Sequence, residues 1–340
     1  MEVCMSEEID FVITWVNGAD PAWLAEKQKY ITDDGVDDRS ERYRDWELLR
    51  FWFRGVEQYA PWVRKIHFVT CGHLPSWLNT EHPRLQIVRH EDFLPEGMLP
   101  TYNSAQMELY LHRIPGLAEQ FVFFNDDMFL LRRRKPEHFF QNGKPCDMLA
   151  FQPLIANAKN PVMSHIYLNN MLVLAKYFEK RRCVGRHPGH VLHVGYPPLY
   201  FCYNLLEMLF GQFTGLYTVH GPSAFCRHTF EEIWEREEAY FTSLEGNRFR
   251  SDRDVNQYLV REWQKLSGNF KPRNVGRELR YFEITDSNEK LLRAIAGGKS
   301  DMVCINDTGR VENVEQVKGD LQEAFLKRLP EKSSFERQES

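Results

Sequence analysis

Two adjacent carboxylates stand directly after a short apolar run near the centre of the chain. Asp126 and Asp127 follow residues 121–124, a pattern typical of a buried strand that ends in polar residues. Neighbouring like charges repel each other, and partial burial removes the water that stabilises them. A divalent cation would relieve both effects. We therefore predict that the pair holds a metal ion, which in turn holds a phosphate. The alternative is an Asx turn that only ends the strand.

A histidine and an arginine have side chains suited to phosphate chemistry. His220 lies in residues 219–222, a segment that glycine and proline would stiffen. Its imidazole has the pKa to accept a proton from a hydroxyl near neutral pH, although most of the twelve histidines are expected to be ordinary. Arg44 opens the first long helix, where its guanidinium could bind a phosphate with two hydrogen bonds. The alternative for Arg44 is a surface ion-pair network.

A predicted helix over residues 104–114 carries a polar stripe. Ser104, Glu108 and His112 are spaced four apart, so they share one helix face. This face either meets solvent or faces the site beside Asp126. Asn103 or Ser104 would cap the helix and leave backbone N–H groups free for an anion.

The elements that must position these residues alternate between strands and helices. Strands are predicted at residues 9–16, 65–70, 85–89 and 121–131, with helices at 45–59, 74–78 and 104–114 between them. Such alternation indicates βαβ units and an α/β fold with a mostly parallel sheet. Functional sites in these sheets lie at the carboxyl ends of the strands, so the polar residues that follow the strands are expected to converge.

The rest of the chain is predicted to form a helical region and then return to the sheet. Helices are expected at residues 165–180, 199–210, 229–242 and 252–266, and strands at 279–285 and 302–305, the second running into Asn306-Asp307. A last helix spans 311–329. We predict a single catalytic domain, 1–329, whose α/β core comprises 9–150 and 270–329. Residues 151–269 form the mainly helical acceptor side, and residues 330–340 form a mobile tail.

Composition excludes several classes of protein. The 340 residues are 43% hydrophobic, enough for a sizeable core, and the net charge of -5 argues against a nucleic-acid partner. Seven scattered cysteines without a CxxC pair suit a reducing cytoplasm. The acidic amino terminus is not typical of a signal peptide. Residues 199–210 are predicted to form a buried helix that is too short to span a bilayer; a membrane-lying face is the alternative.

Several blocks of the sequence resemble the Stealth family. The first is IDFVITWVNGADP at 9–21, and the second comprises RDWELLRFWFRGVEQYAPWVRKIHFVT at 44–70 and LPTYNSAQMELYLHRIPGLAEQFVFFNDDMFL at 99–130. HGPSAF at 220–225, with RFRSDRDVNQYLVREW at 248–263, is similar to the third block, and VCIND at 303–307 to the fourth. Gly55 departs from the pattern, because the family favours a serine there.

The resemblance implies a sugar-1-phosphate transferase with a nucleotide-sugar transferase core of the GT-A or Rossmann-like kind. Stealth proteins build phosphodiester-linked capsular polysaccharides and exopolysaccharides, and they include the eukaryotic enzyme that places GlcNAc-1-phosphate on lysosomal glycoproteins. The implied substrates are a UDP-sugar donor and a glycan acceptor, with Mg²⁺ or Mn²⁺ as cofactor and UMP as product. The implied location is the cytoplasm, with peripheral association at the inner face of the membrane.

The resemblance also suggests roles for individual residues. Its catalytic candidates are Asp127, His220 as general base and Arg250. Its substrate-binding candidates are Asp10, Trp15, Asn17, Gly18, Arg44, Asn103, Ser104 and Glu108. Its metal ligands are Asp126, Asp127, Asn306 and Asp307. Two rivals remain open at this point: a metal-dependent glycosyltransferase that releases UDP, and a catalytically inactive protein that binds a glycan or a nucleotide.

Overall fold

The computed structural model describes residues 8–31, 39–158 and 160–337. The strands in these residues are β1 (Ile9–Thr14), β2 (Ile66–Thr70), β3 (Leu85–Arg89), β4 (Gln120–Phe124), β5 (Met128–Leu130), β6 (Phe140–Gln141), β7 (Lys144–Asp147), β8 (Ala150–Phe151), β9 (Leu216–Tyr217), β10 (Ser223–Cys226), β11 (Lys271–Pro272), β12 (Leu279–Ile284) and β13 (Met302–Asp307).

The α-helices in the same residues are α1 (Pro21–Gln28), α2 (Leu49–Tyr59), α3 (Ser104–Met107), α4 (Pro161–Tyr177), α5 (Lys180–Arg186), α6 (Pro188–Val191), α7 (Pro198–Glu207), α8 (Arg227–Thr242), α9 (Gln257–Leu266), α10 (Glu289–Gly297) and α11 (Val314–Arg328). The middle of the chain, from α4 to α9, is mainly helical, as predicted. Short 3₁₀ segments connect several of the other elements.

The largest sheet has five strands in the order β10-β4-β1-β2-β3. β1 runs parallel to β2 and β4, and β2 runs parallel to β3, which confirms the predicted α/β fold with mostly parallel strands. The edge strand β10 is antiparallel to β4 and comes from the helical region. The sequence does not predict this strand, because its four residues follow a loop with no alternating pattern.

A second sheet, in the order β12-β13-β5, meets the first one at the two carboxylates. The single strand predicted over residues 121–131 is in fact two strands, β4 in the large sheet and β5 in the small one. Between them residues 125–127 form a turn, in which the Met128 N–H donates to the Asn125 carbonyl at 3.2 Å. The Ile305 N–H donates to the Asp127 carbonyl at 2.8 Å and fixes the end of β13 beside this turn.

Apolar layers cover both faces of the large sheet. On one face, Phe124 packs against Phe11 and against Trp52 of α2. On the other face, Phe121 and Phe123 belong to a cluster that includes α8 and α9. The close approach of α2 to β5 explains the glycine that departs from the Stealth pattern: a Cβ at residue 55 would lie 2.9 Å from the Leu130 carbonyl oxygen.

Three helix predictions need correction. The helix over residues 104–114 is a single α-turn, α3, followed by a 3₁₀ segment (Glu108–Arg113), and no hydrogen bond from the Asn103 side chain caps it. No helix forms at residues 74–78, where a turn precedes an isolated β-bridge at Leu78. The helix predicted over residues 199–210 forms as α7, but most of its leucines are exposed rather than buried. Packing in the hydrophobic core therefore does not explain why α7 is rich in apolar residues.

The predicted mobile tail is wrong for residues 330–337, while residues 338–340 lie outside the described part. Phe335 is fully buried and stacks near Phe53. Arg54 of α2 is buried too, and its guanidinium donates to both oxygens of the Glu336 carboxylate, at 2.7 and 2.8 Å. These contacts dock the tail on α2.

None of the helices that the structure describes is both long enough and apolar enough to cross a bilayer.

Candidate active site

A cleft lies where the carboxyl ends of β1, β4 and β13 meet. It has a volume of about 920 Å³. Because parallel strands end at the same edge of a sheet, residues that are far apart in the sequence converge there. The cleft brings together eleven of the residues singled out from the sequence: Trp15, Arg44, Asn103, Ser104, Glu108, Asp126, Asp127, His220, Arg250, Asn306 and Asp307.

One oxygen of the Asp127 carboxylate has two polar neighbours, and the other has no hydrogen-bond partner. The Cys304 thiol donates to Oδ2 at 3.2 Å, and Nε2 of His220 lies 3.4 Å from the same oxygen. Oδ1 is buried and has no hydrogen-bond partner. A buried carboxylate oxygen without a partner is costly, so its position favours a bound cation or a donor group of a substrate.

Asp126 is exposed to the cleft, yet the pKa of its carboxyl is raised to about 8. The first cause is desolvation: the side chain is accessible to solvent, but the walls of the cleft surround it and displace most of the water that would stabilise its charge. The negative charges of Asp127 and Asp45 add to it. Both causes disfavour the ionised form in the absence of a positive charge.

The residues present fit a divalent cation. Mg²⁺ is usually bound by one or two carboxylates, several waters and the phosphates of a substrate. Asp126 and Asp127 supply two carboxylates at the floor of the cleft, and the partnerless Oδ1 of Asp127 is a ligand atom available for this purpose. His220 and Cys304 approach the other oxygen of Asp127, and they hold its carboxylate in place. When bound, the cation would neutralise charge on a diphosphate.

His220 is held from both sides. Its Nδ1 lies 2.7 Å from the Tyr258 hydroxyl, while Nε2 faces Asp127. Burial lowers the pKa of His220, but the hydrogen bond and charge of Asp127, with the charge of Glu108, outweigh this effect and raise it. To act as a base at Nε2, the ring must carry its proton on Nδ1. The Tyr258 oxygen can accept that proton in a hydrogen bond.

Arg250 and Glu108 form a second group on the cleft wall. Nη2 of Arg250 donates to Oγ of Ser104 at 2.7 Å. Burial raises the pKa of Glu108 to about 7, against the opposing charge of Arg250 and a hydrogen bond from the Gln257 N–H. Asn103 fixes the loop before Arg250, since its Nδ2 donates to the Phe249 carbonyl at 3.0 Å. His112, the third residue of the predicted stripe, stacks on Phe230 outside the cleft.

Arg44 and Asp307 pair with each other. Nη1 of Arg44 lies 3.1 Å from Oδ2 of Asp307, and the Gly309 N–H donates to Oδ1 at 2.8 Å. Each oxygen of Asp307 therefore has one partner, and the carboxylate orients Arg44; its role as a metal ligand stays a prediction. Asn306 remains at the cleft edge beside it.

Asp10 is not a nucleotide contact, because it lies at the opposite, amino end of β1. It is fully buried, and its carboxylate binds Arg64, His67 and the Ala118 N–H. Burial alone would raise its pKa, but these partners together lower it. The structure therefore gives Asp10 a structural role in place of the predicted contact with the substrate.

Asn17 and Gly18 also lie outside the cleft around Asp126. They form the turn after β1, where the Asn17 N–H donates to Nδ1 of His73 at 3.1 Å. A Cβ at residue 18 would lie 1.9 Å from the Tyr43 carbonyl oxygen, so this glycine is required by packing. Trp15, the first residue after β1, does line the cleft.

Tyr258 and Cys304 also lie at the site, although neither is a functional candidate from the sequence alone. Tyr258 lies at the start of α9, inside the block similar to the third Stealth block, and Cys304 lies in β13 two residues before Asn306. Strand alternation places Cys304 and Asn306 on the same face of β13, which was the available signal for Cys304. No local signal linked Tyr258 to His220.

Comparisons with known proteins decide the family. The models for Stealth protein conserved region 1 and conserved region 2 match residues 7–35 and 42–147. A capsular polysaccharide phosphotransferase WcwK from Streptococcus pneumoniae is 37% identical over 334 residues, which cover 97% of this chain and 98% of that protein. The chain belongs to the Stealth family.

Other members of the Stealth family are similar over the same length. The receptor polysaccharide phosphotransferase WefC of Streptococcus gordonii is 34% identical, over 98% of this chain and all of that protein. The exopolysaccharide phosphotransferase cps2G of Lactiplantibacillus plantarum is also 34% identical, over 97% and 96%. The prediction of a sugar-phosphate transferase is thereby confirmed at the level of the enzyme class.

Proposed function

We propose that this Stealth protein transfers a hexose-1-phosphate or N-acetylhexosamine-1-phosphate from a UDP-sugar to a hydroxyl of a glycan, in the synthesis of a capsular polysaccharide or exopolysaccharide. The observation that carries the proposal is the cleft in which Asp126, Asp127, His220 and two arginines converge. Its relatives are polysaccharide phosphotransferases by name, which supports the acceptor class.

The strand order supports a nucleotide donor. The parallel strands follow the order β3-β2-β1-β4, which doubly wound nucleotide-binding sheets also use for their first four strands. In those sheets the nucleotide binds beyond the carboxyl ends of the strands. The aromatic rings of Trp15 and Tyr102 line the cleft at this edge and offer apolar faces to a base or a sugar.

The proposed reaction is a displacement at the β-phosphorus of the donor. The acceptor oxygen forms a bond to this phosphorus, the bond from the phosphorus to the oxygen shared with the α-phosphate breaks, and UMP leaves with that oxygen. His220 accepts the proton of the acceptor hydroxyl at Nε2. Arg44 and Arg250 provide positive charge for the phosphate oxygens, because phosphoryl transfer depends mainly on positioning and charge neutralisation.

The proposed cofactor is Mg²⁺ or Mn²⁺, held by Asp126 and Asp127. Two carboxylates with a partnerless oxygen support a hard, oxygen-binding cation. The raised pKa of Asp126 supports the same assignment, since a cation would restore its ionised form.

Analysis of the nucleotide product tests the proposed reaction. Purified protein is incubated with Mg²⁺, a panel of UDP-sugars and short glycans, and the released nucleotide is identified by chromatography. UMP together with a phosphodiester in the product is expected. Release of UDP would instead mean attack at the anomeric carbon and would make the protein a glycosyltransferase. Absence of any donor-dependent turnover across the panel would favour a binding protein.

A further inference from the structure

Exposed apolar side chains are concentrated in one segment of the chain. Of the sixteen large apolar side chains that are exposed in the described residues, twelve lie between residues 154 and 210. The extreme cases are Val194 and Leu209, which are 92% and 80% exposed. Single exposed leucines are ordinary on a protein surface, but a cluster of them marks a site of interaction.

Helix α7 has its polar side turned inward. Asn204 is fully buried, where its Nδ2 donates to the carbonyls of Leu149 and Val191 and its Oδ1 accepts from the Phe151 N–H. On the opposite face Leu199, Cys202, Leu205, Leu206 and Leu209 are all exposed. A helix that contacts only water places its apolar residues toward the core, so this orientation indicates an apolar environment outside the protein.

An internal ion pair holds this helix in place. Nζ of Lys180 donates to the Glu207 carboxylate at 2.6 Å and to the carbonyls of Glu207 and Gln212 at 2.7 and 3.0 Å. Lys180 and Glu207 are both buried. The end of α7 and the apolar turn at residues 208–210 are therefore fixed against the start of α5, and the exposed leucines belong to a rigid surface.

Cations flank the apolar residues. Within residues 179–212, all of which the structure describes, the exposed charged side chains are Arg181, Arg182 and Arg186 and one carboxylate, Glu179, while Glu207 is buried. A Cβ at Gly211 would lie 3.8 Å from Nη2 of Arg181, so this guanidinium lies beside the apolar turn. The basic character is local, because the whole chain has a net charge of -5.

We propose that the α7 surface docks on a bilayer of anionic phospholipid. We define this surface by Leu199, Leu205, Leu206, Leu209 and Phe210 with Arg181 and Arg182. The leucines would enter the boundary between headgroups and acyl chains, and the arginines would bind lipid phosphates. A second copy of the chain fits less well, since a symmetric contact would bring three exposed arginines of each copy together with a single exposed carboxylate, Glu179, from each.

Vesicle co-sedimentation tests this surface without any sugar donor, so its outcome is independent of the proposed reaction. The full chain is mixed with vesicles of phosphatidylglycerol and phosphatidylcholine, or of phosphatidylcholine alone. Binding to the anionic vesicles, weakened by salt, is expected. The double variant Leu209→Ser, Phe210→Ser should weaken binding at least tenfold. The double variant Arg181→Gln, Arg182→Gln should weaken binding by about fivefold for each arginine that is replaced.

Matched variants on other surfaces serve as controls. Leu74 and Leu326 are 45% and 47% exposed, and Arg132 and Arg133 form another exposed pair of arginines. Leu74→Ser with Leu326→Ser and Arg132→Gln with Arg133→Gln should bind vesicles as the wild type does. Circular dichroism melts check that each variant folds.

Three results would overturn the proposal. The first is equal binding of the wild type to neutral and anionic vesicles, or no binding to either. The second is unchanged binding of the α7 variants. The third is a wild-type dimer, measured by light scattering, that the Leu209→Ser, Phe210→Ser variant converts to a monomer.

Discussion

The two ends of strand β1 and its neighbour β4 show carboxylates in opposite situations. At the amino end, Asp10 is fully buried and binds Arg64, His67 and two backbone N–H groups, from Lys65 and Ala118. At the carboxyl end, Asp127 has donors on one oxygen alone, and its other oxygen has no partner.

The pKa values of the carboxyl groups at the two ends differ in the direction that these contacts predict. The partners of Asp10 outweigh its burial and lower its pKa, whereas burial and the negative charges of Asp127 and Asp45 raise the pKa of Asp126 to about 8. The protein therefore stabilises the ionised form at one end and leaves it unstabilised at the other. This difference separates a structural acid from the pair that we propose to bind a ligand, although both are conspicuous in the sequence.

The largest effect is expected from Asp127→Asn. The amide is similar in size but cannot carry the negative charge that a cation requires, so turnover should fall at least about 10³-fold with an unchanged fold. Nucleotide release under saturating Mg²⁺ and donor measures the loss, and circular dichroism reports the fold. Asp10→Asn, assayed well below its melting temperature, is the matched variant at the other end, and its turnover should stay within about threefold of the wild type. Normal turnover of Asp127→Asn would remove the distinction between the two ends.

The next effect is expected from His220→Ala. Loss of the base should lower kcat by about 10²- to 10⁴-fold while the dissociation constant for the donor, measured by calorimetry, changes little. A loss confined to donor affinity would instead make His220 a binding residue.

Tyr258→Phe is the companion variant, because it keeps the ring and removes the hydroxyl next to Nδ1 of His220. A smaller loss of kcat, about tenfold, and a shifted pH profile are expected, since the ring loses the partner that orients it. If Tyr258→Phe changed stability alone, the hydroxyl would have no part in positioning His220.

The sequence predicted the convergence of these residues better than it predicted their individual partners. The βαβ alternation and the rule that sites lie at strand ends were enough to bring Asp126, Asp127 and Asn306 to one edge. The pairs Arg44 with Asp307 and His220 with Tyr258 join residues that are 263 and 38 positions apart, and no spacing rule connects them. Asp10 was misassigned because the resemblance identified a motif without indicating which end of the strand each residue occupies.

Asp10→Asn should lower the stability of the protein, because Asp10 is a structural acid. Removing the charge from a buried pair is expected to lower the free energy of unfolding by about 3 kcal/mol at neutral pH. The folded pKa of Asp10 lies below its usual value of 3.8, so its contribution is complete above that pH and is lost as the pH falls toward the folded pKa. Urea unfolding from pH 7 to pH 3 should therefore show a constant gap between wild type and variant that narrows below about pH 4. A gap that persists undiminished at pH 3 would contradict this assignment.

The smallest expected effect is thermal stabilisation by Mg²⁺. It gives the sharpest distinction between Asp127 and Asp10. A ligand at a hundred times its dissociation constant adds about 2.7 kcal/mol to the stability of the folded state, which corresponds to a rise in Tm of about 2–4 °C in a chain of this size. Asp127→Asn should lose this rise, because the variant lacks the carboxylate with the free oxygen. Asp10→Asn should start from a lower Tm and keep the full rise, since its partners belong to the protein. If Mg²⁺ stabilised Asp127→Asn as much as the wild type, the cation would bind elsewhere, and the partnerless oxygen of Asp127 would have to be assigned to a donor group of the substrate.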